Sequence, residues 1–352
     1  MESLSKFYKD KRVLITGAQG FKGSWLCLTL NYLGSEVIGY GLINSSSLDL
    51  HQEIRKKNKN INFIEGNILD ANILKNTFNK YRPEIVFHLA ANPIVSSGYE
   101  DPYSMFETNI MGTVSILDSA LKQNFVRSLV NITTDKVYKN NLKKDFSFTE
   151  EMELGGDDPY SASKACSELV THAYRKSFTK KNPIGIATAR AGNVIGIGDF
   201  SENRLFPDIM RAEIENKELC IRNPSATRPW QNVIDPIIGY LKLGQFLYFN
   251  PIEYSGSYNF GPENANIISV KELINDLINE KIISVPIKYI ENNIPEKRFL
   301  SLSSQKAINT LNWSNKSNLI EEIKNIKTGY EKLINKSEII NYCEDLIINK
   351  IK

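Results

Sequence analysis

The chain has 352 residues, 41% hydrophobic and 24% charged, which is ordinary globular composition with apolar material for one large domain or two packed units. Its 43 basic and 40 acidic side chains leave a formal net charge of +3, which argues against a nucleic-acid or polyanion surface. Four scattered cysteines (Cys27, Cys166, Cys220, Cys343) form no CxxC and the histidines are unpaired, so no zinc site or disulfide framework is expected. No run of about 18 apolar residues could cross a bilayer, and "MESLSKFYKDK" lacks the apolar centre of a signal peptide. A soluble protein of the reducing cytoplasm is the expectation.

In chain order, "RVLITG", "SEVIGYGL", "INFIEG", "EIVFHLAA", "SLVNITTD" and "IGIATARAGNV" read as strands. Helical spacing separates them, in "GSWLCLTLNYLG", "ANILKNTFNKYR" and residues 106–124. That alternation predicts a Rossmann-type doubly wound parallel sheet with helices on both faces. The runs are almost continuously apolar, as strands buried on both sides require. Beyond residue 195 turn residues and prolines cluster, in "NVIGIGDFSENRLFPD" and "IRNPSATRPWQN", before helical patterns in "SVKELINDLINE" and "LIEEIKNIKTGYEKLI". Residues 1–195 therefore read as a dinucleotide-binding domain. Residues 196–352 read mainly as a smaller mixed α/β substrate-binding lobe, some of whose segments return to the first domain.

The stretch "LITGAQGFKGSWL" places Gly17, Gly20 and Gly23 as G-x-x-G-x-x-G between a strand and a helix, the setting a dinucleotide turn needs. Gly17 allows the tight turn, Gly20 the approach of a pyrophosphate, and Gly23 close helix packing. The helix N-terminus then faces the phosphates. One usual part is missing. The second strand, in "EVIGYGLINSSS", ends without the acidic residue that holds an adenosine ribose; Gly41 and Leu42 stand there. No Arg or Lys occurs between residues 37 and 54 to take a 2′-phosphate, which favours NAD over NADP.

Two further clusters carry chemistry. In "VNITTDKVYKNN" a buried strand opens onto Thr134, Asp135 and Lys136. In "DPYSASKACSELV", Tyr160 and Lys164 lie four apart at a helix start and so share a face. An ammonium beside a phenol favours phenolate, which lets the pair act as a general base. Y-x-x-x-K is common on exposed helices, and polar triplets are common in loops; their company with a dinucleotide turn is what makes them a site. His88 reads as a buried strand residue and Trp25 and Trp230 as packing residues, with no metal site.

These motifs resemble the extended short-chain dehydrogenases/reductases. With "PEIVFHLAA", "TNIMGTV", "NITTDKVYKN", "RAGNVIGIGD" and "RPWQNV" in the same order, the chain is most similar to the CDP-glucose 4,6-dehydratases over residues 11–313. The Asp-Lys pair at 135–136 separates these from dTDP-glucose enzymes, which carry Asp-Glu. The resemblance implies oxidation at C4 of the sugar, loss of water across C5 and C6, and hydride return to C6. It makes Tyr160 the base at the C4 hydroxyl, Thr134 its aligning partner and Asp135 the acid at C6. Lys136 is then either the base at C5 or an electrostatic stabiliser of the enolate, and the residues leave both open.

The resemblance also implies tightly kept NAD over the glycine turn, against Gln19, Phe21 and Lys22. Asn67, Ile68, Leu89, Ala90 and Ala91 would line its other side, with Tyr160 and Lys164 at the reacting end. Asn109, Arg190, Asn193, Arg204 and Arg228 would meet a nucleotide sugar, CDP-glucose by preference. Where the family has His after Trp-Gln this chain has Asn232; its "GD" is Gly66-Asn67, and a late acidic position is Ser303. Residues 106–124 and 163–180 look like the helix pair of a homodimer, or of a dimer of dimers. The implied role is deoxysugar synthesis for surface glycans. A sugar-nucleotide 4-epimerase, another nucleotide-sugar dehydratase and a silent dinucleotide-binding module are the alternatives. The epimerase needs no acid/base pair at C5 and C6, and the silent module should have lost Tyr160, Lys164 or Thr134.

Overall fold

The computed structural model describes residues 3–43, 50–140, 146–179, 183–202, 204–262, 267–290, 300–315 and 317–351. Part of the "EVIGYGLINSSS" reading, residues 44–47, lies outside them. The six expected strands form: β1 (Arg12–Thr16), β2 (Glu36–Gly41), β3 (Asn62–Glu65), β4 (Ile85–His88), β5 (Ser128–Ile132) and β6 (Gly185–Ala191). They lie in the order β3-β2-β1-β4-β5-β6, every pairing parallel. This is the doubly wound Rossmann order, and it reverses between β1 and β4. Alternation along each strand divides the core. Leu14, Val86, Leu129 and Ile186 face helices Ala71–Tyr81 and Gly112–Leu121, while Val13, Phe87 and Val130 face Phe21–Tyr32 and Ile234–Phe249.

A seventh parallel strand, Gly256–Phe260, pairs with β6 and was not expected. Its sequence, "GSYNF", has little β propensity. Tertiary contacts hold it: Asn259 is buried, accepting from the Tyr138 hydroxyl at 2.7 Å and donating to the Phe148 carbonyl at 2.9 Å. Helix Ile234–Phe249 and this strand thus carry the chain from the lobe back to the central sheet. The lobe itself is built on three two-stranded ladders, Val194–Ile195 with Gln231–Asn232, Thr227–Pro229 with Ile267–Ser269, and Leu219–Arg222 with Ile287–Ile290.

The helical pattern over 106–124 resolves into helix Pro102–Phe106, a π-helical turn Glu107–Met111 and helix Gly112–Leu121. Expected and observed bounds agree closely for helices Phe21–Tyr32, Ala71–Tyr81, Val270–Asn279 and Leu319–Ile334.

Candidate active site

The C-terminal ends of β1, β4, β5 and β6 converge on one crevice. At β1 the chain turns through Gly17 with φ of +70°, a left-handed backbone that favours glycine. A Cβ on Gly17 would stand 2.7 Å from the Ala90 backbone nitrogen, and one on Gly23 would stand 2.0 Å from the Gly17 carbonyl oxygen. Turn, strand end and helix are packed backbone on backbone, which only glycine permits. A Cβ at Gly20 would meet no protein atom outside its neighbours closer than 3.4 Å. Gly20 is the N-cap of Phe21–Tyr32 and makes no side-chain cap hydrogen bond. The protein therefore offers a helix N-terminus with open backbone approach and no internal acceptor, which fits a dinucleotide pyrophosphate.

Leu89 and Ala90 follow β4 against this turn, where the Leu89 amide donates to the Thr16 carbonyl at 3.0 Å. Leu89, Ala90 and Ala91 are all partly exposed toward the crevice mouth. His88 is buried, hydrogen-bonded through Nδ1 to the Thr16 hydroxyl at 2.7 Å. Burial, then the nearby Lys164 charge, holds its pKa down at about 3, so it stays neutral. Among the described residues no group of three His, Cys, Asp or Glu side chains could hold a metal. Asn67 is exposed after β3, its side-chain oxygen accepting from the Leu69 amide at 3.0 Å. Ile68 is buried and packs over Gly112.

At β5 the chain passes into a 3-10 turn, Asp135–Val137, capped by Thr134. The Thr134 hydroxyl donates to Asp135 Oδ1 at 3.0 Å, and Asp135 Oδ2 is buried with no hydrogen-bond partner among the described residues. Burial raises the Asp135 pKa; Lys136, the Thr134 hydroxyl, Arg228 and Lys22 pull it back. Burial thus shifts this carboxyl toward its protonated form. Lys136 is partly buried beside it. Gly192, after β6, abuts Asp135 so closely that a Cβ there would lie 2.9 Å from Oδ2.

Across the crevice stands helix Pro159–Phe178. Asp158 caps it, accepting from the Ser161 amide at 2.9 Å, with Pro159 in its first turn. That start presents Tyr160 and Lys164 together. Burial pushes the Tyr160 phenol up to about 12, against the pull of the Thr134 hydroxyl and the Arg204 charge. Lys164 donates to the Ile132 carbonyl at 2.9 Å, and burial lowers its pKa to about 8. Lys22 is lowered to about 8 as well, by burial and then Arg204, against the charges of Asp135 and Asp199. Its ammonium is thus close enough to Asp135 and Asp199 to feel their charges.

The expected substrate residues divide. Asn193 is partly exposed at the mouth after β6. Arg204 caps helix Leu205–Glu215 and reaches Asp199 at 3.5 Å. Arg228 is buried and near enough to Asp135 to lower its pKa. Arg190 does not face the crevice. Its five N–H groups are all used, on both Glu168 oxygens (3.0 and 2.8 Å), the Tyr138 hydroxyl (2.8 Å), the Glu150 carbonyl (3.1 Å) and the Ser257 hydroxyl (3.1 Å). Asn109 is 1% exposed, and its amide is engaged with the Asn92 backbone, Met105 and Ser163. Arg190 has no N–H left for a substrate, and both side chains clamp the elements that carry the site. Sequence reasoning missed Glu168 and Asp199. Glu168 had a signal, since it lies one turn past Lys164 on the same helix face.

Comparison with known proteins gives the same picture. The family model described as GDP-mannose 4,6 dehydratase matches residues 14–326. A CDP-glucose 4,6-dehydratase of Salmonella typhimurium is 38% identical over 325 residues, 90% of this chain and 89% of the relative. Among solved structures, dTDP-glucose 4,6-dehydratase of Bacillus anthracis in complex with NAD superposes with a TM-score of 0.77 at 23% identity, covering 94% of this chain and 99% of that one. A UDP-glucose 4-epimerase of Thermotoga maritima gives 0.80 at 22%, covering 92% and 99%. Dehydratase and epimerase thus share the fold, and sequence separates them. The expected resemblance holds: the chain belongs to the 4,6-dehydratase family of nucleotide-sugar enzymes.

Proposed function

We propose that the protein converts CDP-glucose to CDP-4-keto-6-deoxyglucose and water, with no net oxidation. The observation that carries the reading is the buried Asp135 carboxyl, between Thr134 and Lys136 at the end of β5, in a chain 38% identical to a CDP-glucose 4,6-dehydratase. A 4-epimerase has no use for a proton donor at C6.

NAD, when bound, would supply the hydride acceptor for C4 and the donor for C6. The Gly17–Gly23 turn would hold its pyrophosphate, and Lys164 would hold its nicotinamide ribose. Tyr160 takes the proton of the C4 hydroxyl, which Thr134 aligns by hydrogen bonding. The resulting 4-ketone acidifies C5–H. Lys136 either accepts that proton as the free amine and later returns it to C5, or stabilises the enolate as an ammonium while solvent water takes and returns the proton. Asp135 gives its proton to the departing C6 hydroxyl. The C5–H and C6–O bonds break, a C5–C6 double bond forms, and water leaves; a proton at C5 and a hydride at C6 then saturate it.

Asn193, Arg204 and Arg228 would meet the substrate at its diphosphate and sugar, Arg228 by its forked, permanently charged donors. The lobe of residues 196–232 and 267–290 would cover the nucleotide. The protein would work as a homodimer, or a dimer of dimers. Tyr103, Met111, Leu169 and Phe178 leave exposed apolar surface around helices Gly112–Leu121 and Pro159–Phe178 for that contact. No described helix is long and apolar enough to cross a membrane. Four free cysteines suit the reducing cytoplasm, where the product would feed deoxysugar synthesis for surface glycans.

The test is isotopic. CDP-glucose deuterated at C4 should yield a product with that deuterium at C6. Ordinary substrate in D2O should yield one deuterium at C5. A label that stays at C4, or returns there with inverted configuration, contradicts the reading.

A further inference from the structure

The end of β2 lacks the acidic side chain that ordinarily receives an adenosine ribose, and Gly41 closes that strand. Gln19, in the glycine turn, fills the gap from the other side. It is only 5% exposed, and its Nε2 donates to the Gly41 carbonyl at 3.3 Å. A carbonyl oxygen can only accept, so the amide must present its nitrogen to Gly41 and its oxygen away from it. That Oε1 is buried with no hydrogen-bond partner among the described residues. The turn is fixed to the same strand, since the Gly17 and Ala18 amides both donate to the Tyr40 carbonyl, at 2.8 and 3.3 Å. A buried acceptor without a donor is uncommon in a finished protein and points to a ligand that supplies one.

We infer that Gln19 is the cofactor's ribose-recognition residue, its Oε1 accepting a hydrogen bond from an adenosine ribose hydroxyl in place of the missing acid. The inference rests on the proposal that a dinucleotide binds over the Gly17–Gly23 turn. Two properties follow. A neutral amide accepts a weaker bond than a carboxylate, since charge-assisted hydrogen bonds are roughly twice as strong. It also lacks the charge that repels a 2′-phosphate. The site holds NAD less tightly than an acid-bearing one and discriminates less against NADP.

Titration calorimetry is the test, on the whole protein with NAD, NADP, and NAD analogues lacking the adenosine 2′- or 3′-hydroxyl. Gln19→Ala should weaken NAD binding roughly 3- to 10-fold, the effect of losing one neutral hydrogen bond. Its affinity for CDP-glucose should stay at the wild-type value. For one of the two analogues, wild type and Gln19→Ala should bind alike, because the partner hydroxyl is already gone. Gly41→Asp provides a second variant. A Cβ at Gly41 meets nothing closer than 3.7 Å, so the acid can be installed, and in the Gln19→Ala background it should restore NAD affinity and widen the preference over NADP. Equal NAD affinity of wild type and Gln19→Ala overturns the inference, as do losses from variant and analogue that simply add. Wild type that binds no NAD at all overturns the cofactor reading itself.

Discussion

Replacing Arg190 by Met separates a structural clamp from a substrate ligand. Arg190 and Glu168 are 3% and 2% exposed and meet at 2.8 Å. Burial alone would raise the Glu168 pKa, but the Arg190 guanidinium and the Thr133 and Thr188 hydroxyls outweigh it and hold the carboxyl low. Removing one partner of such a pair leaves an uncompensated buried charge, a loss of about 3–5 kcal/mol. With an unfolding entropy of about 2.1 cal/mol/K per residue, two-state unfolding of 352 residues converts that into a fall in Tm of roughly 4–7 °C. The sign with pH is also fixed. In the variant Glu168 is buried without its cation, so its pKa lies above the unfolded value, and its stability declines as pH rises through the neutral range. The wild-type pair has the opposite dependence, losing its contribution as pH falls through the depressed Glu168 pKa. The gap between the two proteins therefore widens from pH 4 to 7, read by calorimetric melting. Glu168→Leu/Arg190→Met should recover part of the loss, because no charge is then stranded. An unchanged Tm, with CDP-glucose binding weakened instead, would refute the reasoning and return Arg190 to the substrate.

Three other perturbations address the site. Tyr160→Phe should lower turnover about 10²–10⁴-fold by slowing hydride removal from C4, whereas Lys136→Ala should leave C4 oxidation detectable and block water loss; single-turnover mass spectrometry in D2O distinguishes the two. Lys22→Met removes one of the cations that lower the Asp135 pKa. With Asp135 as the proposed acid, elimination fails as pH rises through its pKa, so the alkaline limb of kcat should move to higher pH in this variant while Lys22→Arg keeps it in place. Gly23→Ala puts a methyl into the Gly17 carbonyl, 2.0 Å away before relaxation, and should cost at least about 2 kcal/mol in chemical denaturation together with NAD affinity.

The sheet was legible because its first six strands are apolar runs of the right length, each followed by turn residues. The glycine turn and the Tyr160–Lys164 pair were legible because their spacing is dictated locally, by a strand-to-helix turn and by one helical face. The seventh strand was not, since Gly256, Ser257 and Asn259 take β form through buried hydrogen bonds that only the assembled fold supplies. Arg190 misled for a related reason. A charge next to a motif reads as a ligand, yet β6 is buried along its whole length, and an arginine within it has to find a carboxylate. The partner lies 22 residues away on another element. The Gln19 acceptor was invisible for the opposite reason: sequence reveals that the β2 acid is missing, but not what packs into the space.

The central claim is tested most directly by mass spectrometry of CDP-, dTDP-, UDP- and GDP-activated hexoses incubated with the protein and NAD. Loss of one water from CDP-glucose alone, without net reduction of the cofactor, is the predicted result. Water lost only from another nucleotide sugar would contradict the substrate assignment. An unchanged mass with inverted C4 configuration would contradict the dehydratase chemistry assigned to Asp135 and Lys136.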